Sequence, residues 1–140
     1  MITNTQIIKL DSIGGEYGSL IAVEESQTVP FEIKRIYFIY DVAPNVRRGF
    51  HSHVNLWQAL ICVHGSVKVE ISNPFEKEEV LLDAPSKALI IGPMVWREMF
   101  DFQPGSVLLV LASEHFDEAD YIRNHELYLK MARSWYEDGM

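Results

Sequence analysis

Seven apolar segments rich in β-branched and aromatic residues follow one another along the first 115 residues of the chain. Turn-forming stretches that contain Gly or Pro separate them at intervals of roughly 10 to 15 residues. This pattern predicts an antiparallel sandwich or barrel, and so an all-β body. The segments are SLIAVE at 19–24, IKRIYFIYD at 33–41, HVNLWQALICV at 53–63, VKVEIS at 67–72, EEVLLD at 78–83, KALIIG at 87–92 and SVLLVLAS at 106–113.

The pattern changes at the end of the chain. Residues 117–137 contain neither Gly nor Pro, and Asp117 is a suitable cap with further acids in the first turn. Aromatic and small residues recur there at spacings of three or four, which is the helical period. We therefore predict strands up to about residue 115, followed by one amphipathic helix over about 117–137. The recurring positions are Tyr121, His125, Tyr128, Ala132 and Trp135.

Composition limits the classes of function. A chain of 140 residues with 48% hydrophobic residues is the size of one folded domain, predicted here as 1–140. Its formal charge of -8 argues against a nucleic-acid surface, which needs an excess of cations. Cys62 is the only cysteine, so no internal disulfide can form. We expect no nucleic-acid partner and a reducing, cytoplasmic location.

The chain start and its apolar runs bear on targeting. The first residues, MITNTQIIKLDS, lack the basic and apolar regions of a signal peptide. The longest apolar run, VLLVLA at 107–112, is far shorter than a membrane span. We therefore expect no membrane partner.

The stretch GFHSHVNLWQ at 49–58 carries the main candidate chemistry. His51 and His53 share one face if this stretch is a strand, because successive side chains alternate. A turn over Val54 to Leu56 would let Gln58 join the same face. The spacing of these residues and Gly65 resembles the first motif of the cupin superfamily, in which two His and one Glu bind a metal in a small β-barrel.

Two positions depart from that metal-binding pattern. Gln58 replaces the Glu, and Arg97 stands in GPMVWREM where a further ligand His is expected. Gln is a weak donor, and the permanent charge of Arg repels a cation. Two histidines alone are too few for a tight site, so we predict no metal unless another carboxylate substitutes. Free of a metal, the histidines suit acid–base catalysis, and Arg97 with Arg47 and Arg48 offers fixed positive charge.

The chain also resembles, over nearly its whole length, the sugar 3,4-ketoisomerases that act on dTDP-4-keto-6-deoxyglucose. The stretches that carry this resemblance are KRIYFIYD at 34–41, RGFHSH at 48–53, QALICVHGSVKV at 58–69, GPMVWREMFDF at 92–102 and VLLVLASEHFDEADYIR at 107–123. The resemblance implies a small cupin fold of the RmlC-like jelly-roll type with a C-terminal helix. It further implies a homodimer with exchanged N-terminal strands.

The family's reaction moves a carbonyl from C4 to C3 of the hexose through an enediol. The product is prepared in this way for a PLP-dependent aminotransferase, in the biosynthesis of 3-amino sugars for lipopolysaccharide or surface-layer glycans. The resemblance implies no cofactor for the isomerisation. The chain itself has no Gly-x-Gly-x-x-Gly unit and no phosphate-binding loop, which disfavours nicotinamide or kinase chemistry.

Residue roles follow from the same resemblance. His51 matches the general base and His53 a second proton-transfer residue. Tyr37 and Arg48 match residues that line the sugar, and Gln58 orients a histidine or a sugar hydroxyl.

Tyr17 and Arg97 are the two departures within that family. They stand where Arg and His are common, and we expect both beside the substrate. If they lie close together, an arginine has changed sides of the pocket, and the face on which C4 is reprotonated is open. The resemblance favours dTDP-3-keto-6-deoxy-D-glucose over its galacto epimer as product.

Three other functions stay open from the sequence alone. A nucleotide-sugar epimerase uses the same α-proton chemistry but leaves the carbonyl at C4. A metal-dependent cupin enzyme requires a ligand set that the motif does not supply. A sugar-binding cupin binds the ligand without exchanging its hydrogens.

Overall fold

The computed structural model describes residues 1–138, which form twelve β-strands, one 3₁₀ helix and one α-helix. The strands are β1 (Thr5–Lys9), β2 (Ile13–Gly15), β3 (Gly18–Leu20), β4 (Arg35–Tyr40), β5 (Arg48–His53), β6 (Gln58–His64), β7 (Val67–Ser72), β8 (Lys77–Leu82), β9 (Lys87–Ile91), β10 (Trp96–Phe100), β11 (Val107–Ala112) and β12 (Tyr121–Ile122). The 3₁₀ helix is Glu118–Asp120 and the α-helix, α1, is His125–Asp138.

Two five-stranded antiparallel sheets make up the body. The first has the order β1-β9-β6-β11-β4 and the second the order β12-β5-β10-β7-β8. Because side chains alternate along each strand, one face of each sheet is apolar and the two faces pack together. Leu60 and Val110 of the first sheet share one buried cluster with Val69 and Leu82 of the second. The expected all-β fold of the cupin, jelly-roll type is confirmed.

The outer face of the first sheet is covered as well. Ala59 and Ile61 of β6 point away from the central core and pack against Val29 and Phe31 of the irregular segment 21–33. Strand β6 is therefore buried on both faces. This burial holds its first residue, Gln58, in a rigid setting.

A separate hairpin, β2–β3, extends from this body. Among residues 1–138, its two strands pair only with each other. Its larger apolar side chains, Ile13, Tyr17 and Leu20, are all exposed within the single chain.

The predicted C-terminal helix begins later than expected. Asp117 does act as a cap, but for the 3₁₀ helix, where its side chain accepts the N–H of Ala119 at 3.0 Å. Tyr121 then pairs with His53 as part of β12, so the chain is extended there and α1 starts at His125. Pairing with an available sheet edge outweighs the local helical pattern over 117–124. Within residues 1–138, no helix is long and apolar enough to cross a membrane.

Four strands lie wholly outside the predicted segments, namely β1, β2, β10 and β12. Strand β1 pairs with β9 along its whole length. Strand β10 starts inside GPMVW, which the sequence pattern marks as a break, because the turn there is short: Met94 has a φ of 60°, and the backbone is extended again by Trp96. Segment 19–24, in contrast, is a strand only up to Leu20.

Candidate active site

The two histidines of β5 lie together at one end of the space between the sheets. Their ring centroids are 4.9 Å apart, as expected for residues on the same face of a strand. His53 is fully buried and His51 partly so. The chain bends after His53, as predicted, and Gln58 at the start of β6 joins the same cluster.

The backbone before His51 determines which of its nitrogens carries a proton. His51 Nδ1 lies 3.1 Å from the carbonyl oxygen of Gly49. A carbonyl only accepts hydrogen bonds, so Nδ1 is the donor and Nε2 of the neutral ring keeps a free lone pair. Gly49 has a φ of 99°, and a Cβ there would lie 3.0 Å from the carbonyl oxygen of Arg97. This position requires glycine because of both its dihedral angle and the close approach of β10.

His53 contacts the segment that pairs with β5, where its Nδ1 lies 3.1 Å from Asp120 Oδ2. Its Nε2 is buried and has no hydrogen-bond partner among residues 1–138. Nothing in the sequence pattern singles out Asp120, which is 67 positions away along the chain. Only the pairing of β12 with β5 brings the carboxylate to the histidine.

Both histidines are held neutral. Burial lowers the pKa of His51 to about 3, with the charge of Arg97 acting in the same direction. Burial and Arg97 also hold the pKa of His53 well below its usual range. The Asp120 carboxylate opposes the shift at His53, but the loss of hydration and the nearby guanidinium groups outweigh it. Two imidazoles are therefore available as proton acceptors at neutral pH.

A hydrogen-bonded relay connects Arg97 to the phenol of Tyr37. Arg97 Nη1 donates to Gln58 Oε1 at 2.6 Å, and Gln58 Nε2 donates to Tyr37 Oη at 3.0 Å. Because the Tyr37 oxygen accepts from Gln58, its own proton is free to donate elsewhere. Burial raises the pKa of Tyr37, so the phenol keeps this proton. Tyr37 is thus oriented as a neutral donor.

Arg97 itself is deeply buried. It pairs across the strands with His51, is 1% exposed and donates its other hydrogen bonds to the backbone carbonyl of Val95. Burial lowers its pKa only to about 10, so the guanidinium stays charged at neutral pH. Gln58 lies between this guanidinium and Tyr37, so the charge of Arg97 is linked to the site through the Gln58 side chain.

Two neighbouring cavities meet at this cluster. The smaller, of about 300 Å³, contains His51 and Tyr37 in its wall and is bordered by Arg48 and Arg123. The larger, of about 580 Å³, contains His53, Asn55 and the loop 114–117. Both include Arg35 and Tyr121, which form the boundary between them. The predicted positions His51, His53, Tyr37 and Arg48 are therefore brought together around connected space.

Arg35 is a candidate that sequence analysis did not single out. Its guanidinium carbon lies 5.2 Å from the ring centroid of Tyr37 and 5.7 Å from that of Phe116. Its Nε is buried and has no hydrogen-bond partner among residues 1–138. An arginine in a cavity wall with unused donors is suited to an anionic ligand. The only signal in the sequence was its position two residues before Tyr37, which places both side chains on the same face of β4.

One predicted cation and one predicted aromatic residue lie elsewhere. Arg47 is wrong as a site residue: its Nε lies 2.6 Å from Glu98 Oε1 and its Nη2 3.2 Å from Glu70 Oε2, on the outer surface. Adjacent strand residues point to opposite faces, so Arg48 reaches the cavity and Arg47 does not. Tyr17 is 97% exposed on the β2–β3 hairpin, and the single chain does not bring it to Arg97.

The residues present do not fit a divalent metal. Residues 1–138 contain no group of three or more His, Cys, Asp or Glu in a metal-binding arrangement. The third position of the cupin motif, Gln58, already accepts a hydrogen bond from Arg97. A guanidinium at that place repels a cation.

Comparison with known proteins identifies the family. The family model FdtA (WxcM-like, C-terminal) matches residues 3–133. The chain belongs to the FdtA family. Among curated proteins, a TDP-4-oxo-6-deoxy-alpha-D-glucose-3,4-oxoisomerase of Aneurinibacillus thermoaerophilus is 42% identical over 125 residues, or 89% of this chain and 90% of that protein.

A solved 3,4-ketoisomerase, QdtA of Thermoanaerobacterium thermosaccharolyticum, is also similar. Its H51N mutant in complex with TDP-4-keto-6-deoxyglucose is 48% identical, with a TM-score of 0.94 over 96% of this chain and 97% of that one. Its double mutant Y17R/R97H in complex with TDP is 47% identical, with a TM-score of 0.95 over 97% and 99%. This FdtA-family chain carries His51, Tyr17 and Arg97 at the same numbers.

The same fold also occurs in a protein with much lower sequence identity. NovW, a 4-keto-6-deoxy sugar epimerase of Streptomyces spheroides, is 17% identical with a TM-score of 0.75 over 90% of this chain and 71% of that one. At that identity the likeness shows a shared fold alone.

Proposed function

We propose that the protein is a sugar-nucleotide 3,4-ketoisomerase that converts dTDP-4-keto-6-deoxy-D-glucose to dTDP-3-keto-6-deoxy-D-glucose. The observation that carries this proposal is the neutral His51, which has an unprotonated Nε2 and lines a cavity together with Tyr37 and three arginines. Ketoisomerisation needs a base for an α-proton and a donor for the carbonyl oxygen. The similarity to solved and curated ketoisomerases supports the same reaction.

The first half of the reaction forms an enediolate. His51 Nε2 removes the proton from C3, the electron pair of that C–H bond forms the C3–C4 double bond, and the carbonyl π electrons move to O4. Tyr37 donates its phenolic proton as a hydrogen bond to O4. The buried charge of Arg97, transmitted through Gln58, stabilises the developing negative charge.

The second half places the carbonyl at C3. His53 Nε2 accepts the proton of the C3 hydroxyl and passes it to O4, which leaves the negative charge on O3. The O3 electron pair then forms the C3 carbonyl, and the double-bond pair takes a proton from solvent at C4. This proton arrives on the face opposite His51, because H3 and H4 of a gluco ring lie on opposite faces, and the His51 imidazolium releases its own proton to solvent. The release to solvent restores neutral His51, and the transfer from O3 to O4 restores neutral His53, so the step needs no oxidant or cofactor.

The diphosphate of the substrate requires cations near this cluster. Arg35, Arg48 and Arg123 all border the cavity that contains His51. Arg35 has an unused buried donor, and Arg123 forms a paired contact with Glu118 at 2.7 and 2.9 Å. We assign the diphosphate to this group, with Arg123 exchanging Glu118 for a phosphate oxygen.

We further propose a cytoplasmic homodimer with exchanged N-terminal strands. Edge strand β4 exposes Ile36, Phe38 and Tyr40 on its outer face at 61%, 59% and 60%. The β2–β3 hairpin adds further exposed apolar side chains. An exposed apolar edge strand is normally covered. A second copy would cover this surface and would allow Tyr17 to reach the partner's cavity, where it contributes to the outcome at C4.

Exchange of hydrogen with solvent tests the assignment. In deuterated water, the enzyme is expected to introduce deuterium into dTDP-4-keto-6-deoxyglucose during turnover, observed by ¹H NMR. An epimerase also exchanges hydrogen but leaves the carbonyl at C4, so the ¹³C carbonyl position separates the two. Ligand binding without exchange would instead support a sugar-binding protein and overturn the proposal.

A further inference from the structure

The carboxylate of Asp120 meets two donors at once. Its Oδ2 lies 3.1 Å from His53 Nδ1, and its Oδ1 accepts the backbone N–H of Asn55 at 2.8 Å. Since each oxygen of a carboxylate is an acceptor, His53 Nδ1 must supply the hydrogen in the first contact. His53 is therefore in the Nδ1–H tautomer when neutral.

The backbone fixes this carboxylate independently of the side-chain contact. The N–H of Val54 donates to the Asp120 carbonyl at 3.0 Å, and the Asp120 N–H donates to the Asp117 carbonyl at 3.0 Å. Tyr121, the next residue, pairs with His53 across β12 and β5. The 3₁₀ helix and β12 thus hold Asp120 against the strand that bears the histidines.

The other ring nitrogen of His53, Nε2, makes no hydrogen bond within residues 1–138. Nε2 is fully buried and unpartnered among residues 1–138, in a side chain that is 0% exposed. Leaving a buried polar atom without a partner is unfavourable, so its presence points to a ligand atom that completes the bond. His53 contributes to the wall of the larger cavity, next to His51.

We propose that Asp120 is a positioning residue for the isomerisation, which holds His53 in the Nδ1–H tautomer so that Nε2 accepts a hydroxyl proton from the sugar. This inference rests on the proposed function. Asp120 does not touch the substrate. It fixes the ring, and it stabilises the imidazolium that exists while the hydroxyl proton moves from O3 to O4.

Asp120→Asn is the informative substitution because an amide has one acceptor and one donor. If its oxygen keeps the Asn55 N–H, its NH₂ faces His53 Nδ1 and favours the Nε2–H tautomer, which cannot accept the proton. The matched control is Asp83→Asn. Asp83 undergoes the same change from carboxylate to amide, pairs with Lys87 at 3.3 Å and borders neither cavity of the site.

The test combines tautomer assignment with kinetics. Long-range ¹H–¹⁵N NMR of the unmodified protein is expected to show His53 as the Nδ1–H tautomer at pH 7, and Asp120→Asn is expected to shift it to Nε2–H. For Asp120→Asn we expect kcat to fall about 100-fold with KM changed less than about threefold. Asp83→Asn is expected to keep the parent tautomer and kcat.

Several results would overturn the proposal. An Nε2–H or doubly protonated His53 in the unmodified protein would do so even if the variant does not fold. An unchanged kcat in a folded Asp120→Asn protein would do so as well. Failure of the function proposal is distinct, because the unmodified protein would then not turn over the sugar while its tautomer could still be measured.

Discussion

At the scale of single residues, the site depends on which atoms have spare hydrogen-bonding capacity. His51 Nδ1 donates to the Gly49 carbonyl, which leaves the lone pair on His51 Nε2 unused. Gln58 donates to the Tyr37 oxygen, which leaves the phenolic proton of Tyr37 unused. The sequence could identify His51, His53 and Tyr37 as polar residues on suitable strands. It could not show these pairings. The contact of Gln58 with Tyr37 joins two strands that are separated along the chain, and the contact of His51 with Gly49 depends on the unusual backbone at Gly49, which has a φ of 99°.

Replacing the base tests the central residue. His51→Asn keeps a polar side chain but removes the proton acceptor, so we expect kcat to fall roughly 10²- to 10⁴-fold. Steady-state kinetics on dTDP-4-keto-6-deoxyglucose is the measurement. His64→Asn is the control, since His64 is exposed at the end of β6 and contacts the Gly105 carbonyl. Equal losses in both variants would argue against a specific role for His51.

The phenolic donor is tested in the same assay. Tyr37→Phe removes the hydrogen bond to O4 and leaves the ring, so we expect kcat to fall about 100-fold with KM nearly constant. Tyr40→Phe, on the exposed face of the same strand, is the matched control. If KM rises while kcat is unchanged, Tyr37 binds the ground state only and does not stabilise the enediolate.

At the scale of elements, β5 and the segment that pairs with it build the site. The sequence predicted that His51 and His53 share a face, and period-two alternation is local enough for that prediction to hold. It placed a helix over 117–124, where β12 forms instead, since the edge of β5 is available only in the folded protein. Asp120 therefore had no visible role before the two strands were paired.

A substitution at Gly49 tests whether the backbone conformation at the start of β5 is required for stability and activity. Gly49→Ala introduces a Cβ at a φ of 99°, in contact with the Arg97 carbonyl at 3.0 Å. We expect a loss of about 1–3 kcal/mol in the free energy of unfolding and a lower kcat, because the carbonyl that orients His51 is displaced. Thermal or urea unfolding measures the first effect.

The control for this change is Gly15→Ala. Gly15 has no atom within 4 Å of a built Cβ and lies in the exposed hairpin. The free energy of unfolding of the Gly15→Ala variant is expected to match that of the parent protein. Gly49→Ala with parental stability and kcat would show that the irregular start of β5 does not constrain the site.

At the scale of the whole molecule, two sheets enclose charged and titratable groups away from water. The jelly roll followed from the spacing of apolar segments, which reflects burial and is readable in sequence. The exposure of the apolar outer face of β4 could not be predicted, because alternation does not show which face of a strand the rest of the chain covers. Arg47 shows the same limit: its outward direction depends on the register of β5.

Burial of the histidines makes a prediction about pH. The pKa of His51 is lowered to about 3 from about 6.5, so the base stays unprotonated as pH falls through 6 and 5. We expect kcat/KM to be nearly flat from pH 8 to pH 5. An acid limb near pH 6.5 would show that His51 titrates normally.

The same shift has a consequence for stability. Between pH 6.5 and 3 the unfolded chain binds more protons than the folded chain at these histidines, so the free energy of unfolding is expected to fall as pH falls through that window. Urea unfolding at pH 7, 6 and 5 is the measurement. Constant or rising stability toward pH 5 would contradict the depressed pKa values.

The oligomeric state is tested on the β4 surface. Phe38→Glu places a charge on the exposed apolar face and is expected to convert the dimer to a monomer in analytical ultracentrifugation. Leu81→Glu changes an exposed apolar residue on the edge strand of the other sheet and is expected to leave the dimer intact. A monomeric parent protein, or a dimer in both variants, would exclude this interface.

The measurement that tests the central claim most directly is the identity of the product. The purified protein, treated with a chelator, is incubated with dTDP-4-keto-6-deoxyglucose and followed by ¹H and ¹³C NMR. The account predicts that the carbonyl moves to C3 at an undiminished rate and that C4 is protonated to give the gluco configuration. A carbonyl that stays at C4, or activity that disappears with the chelator and returns with a divalent metal, would contradict it.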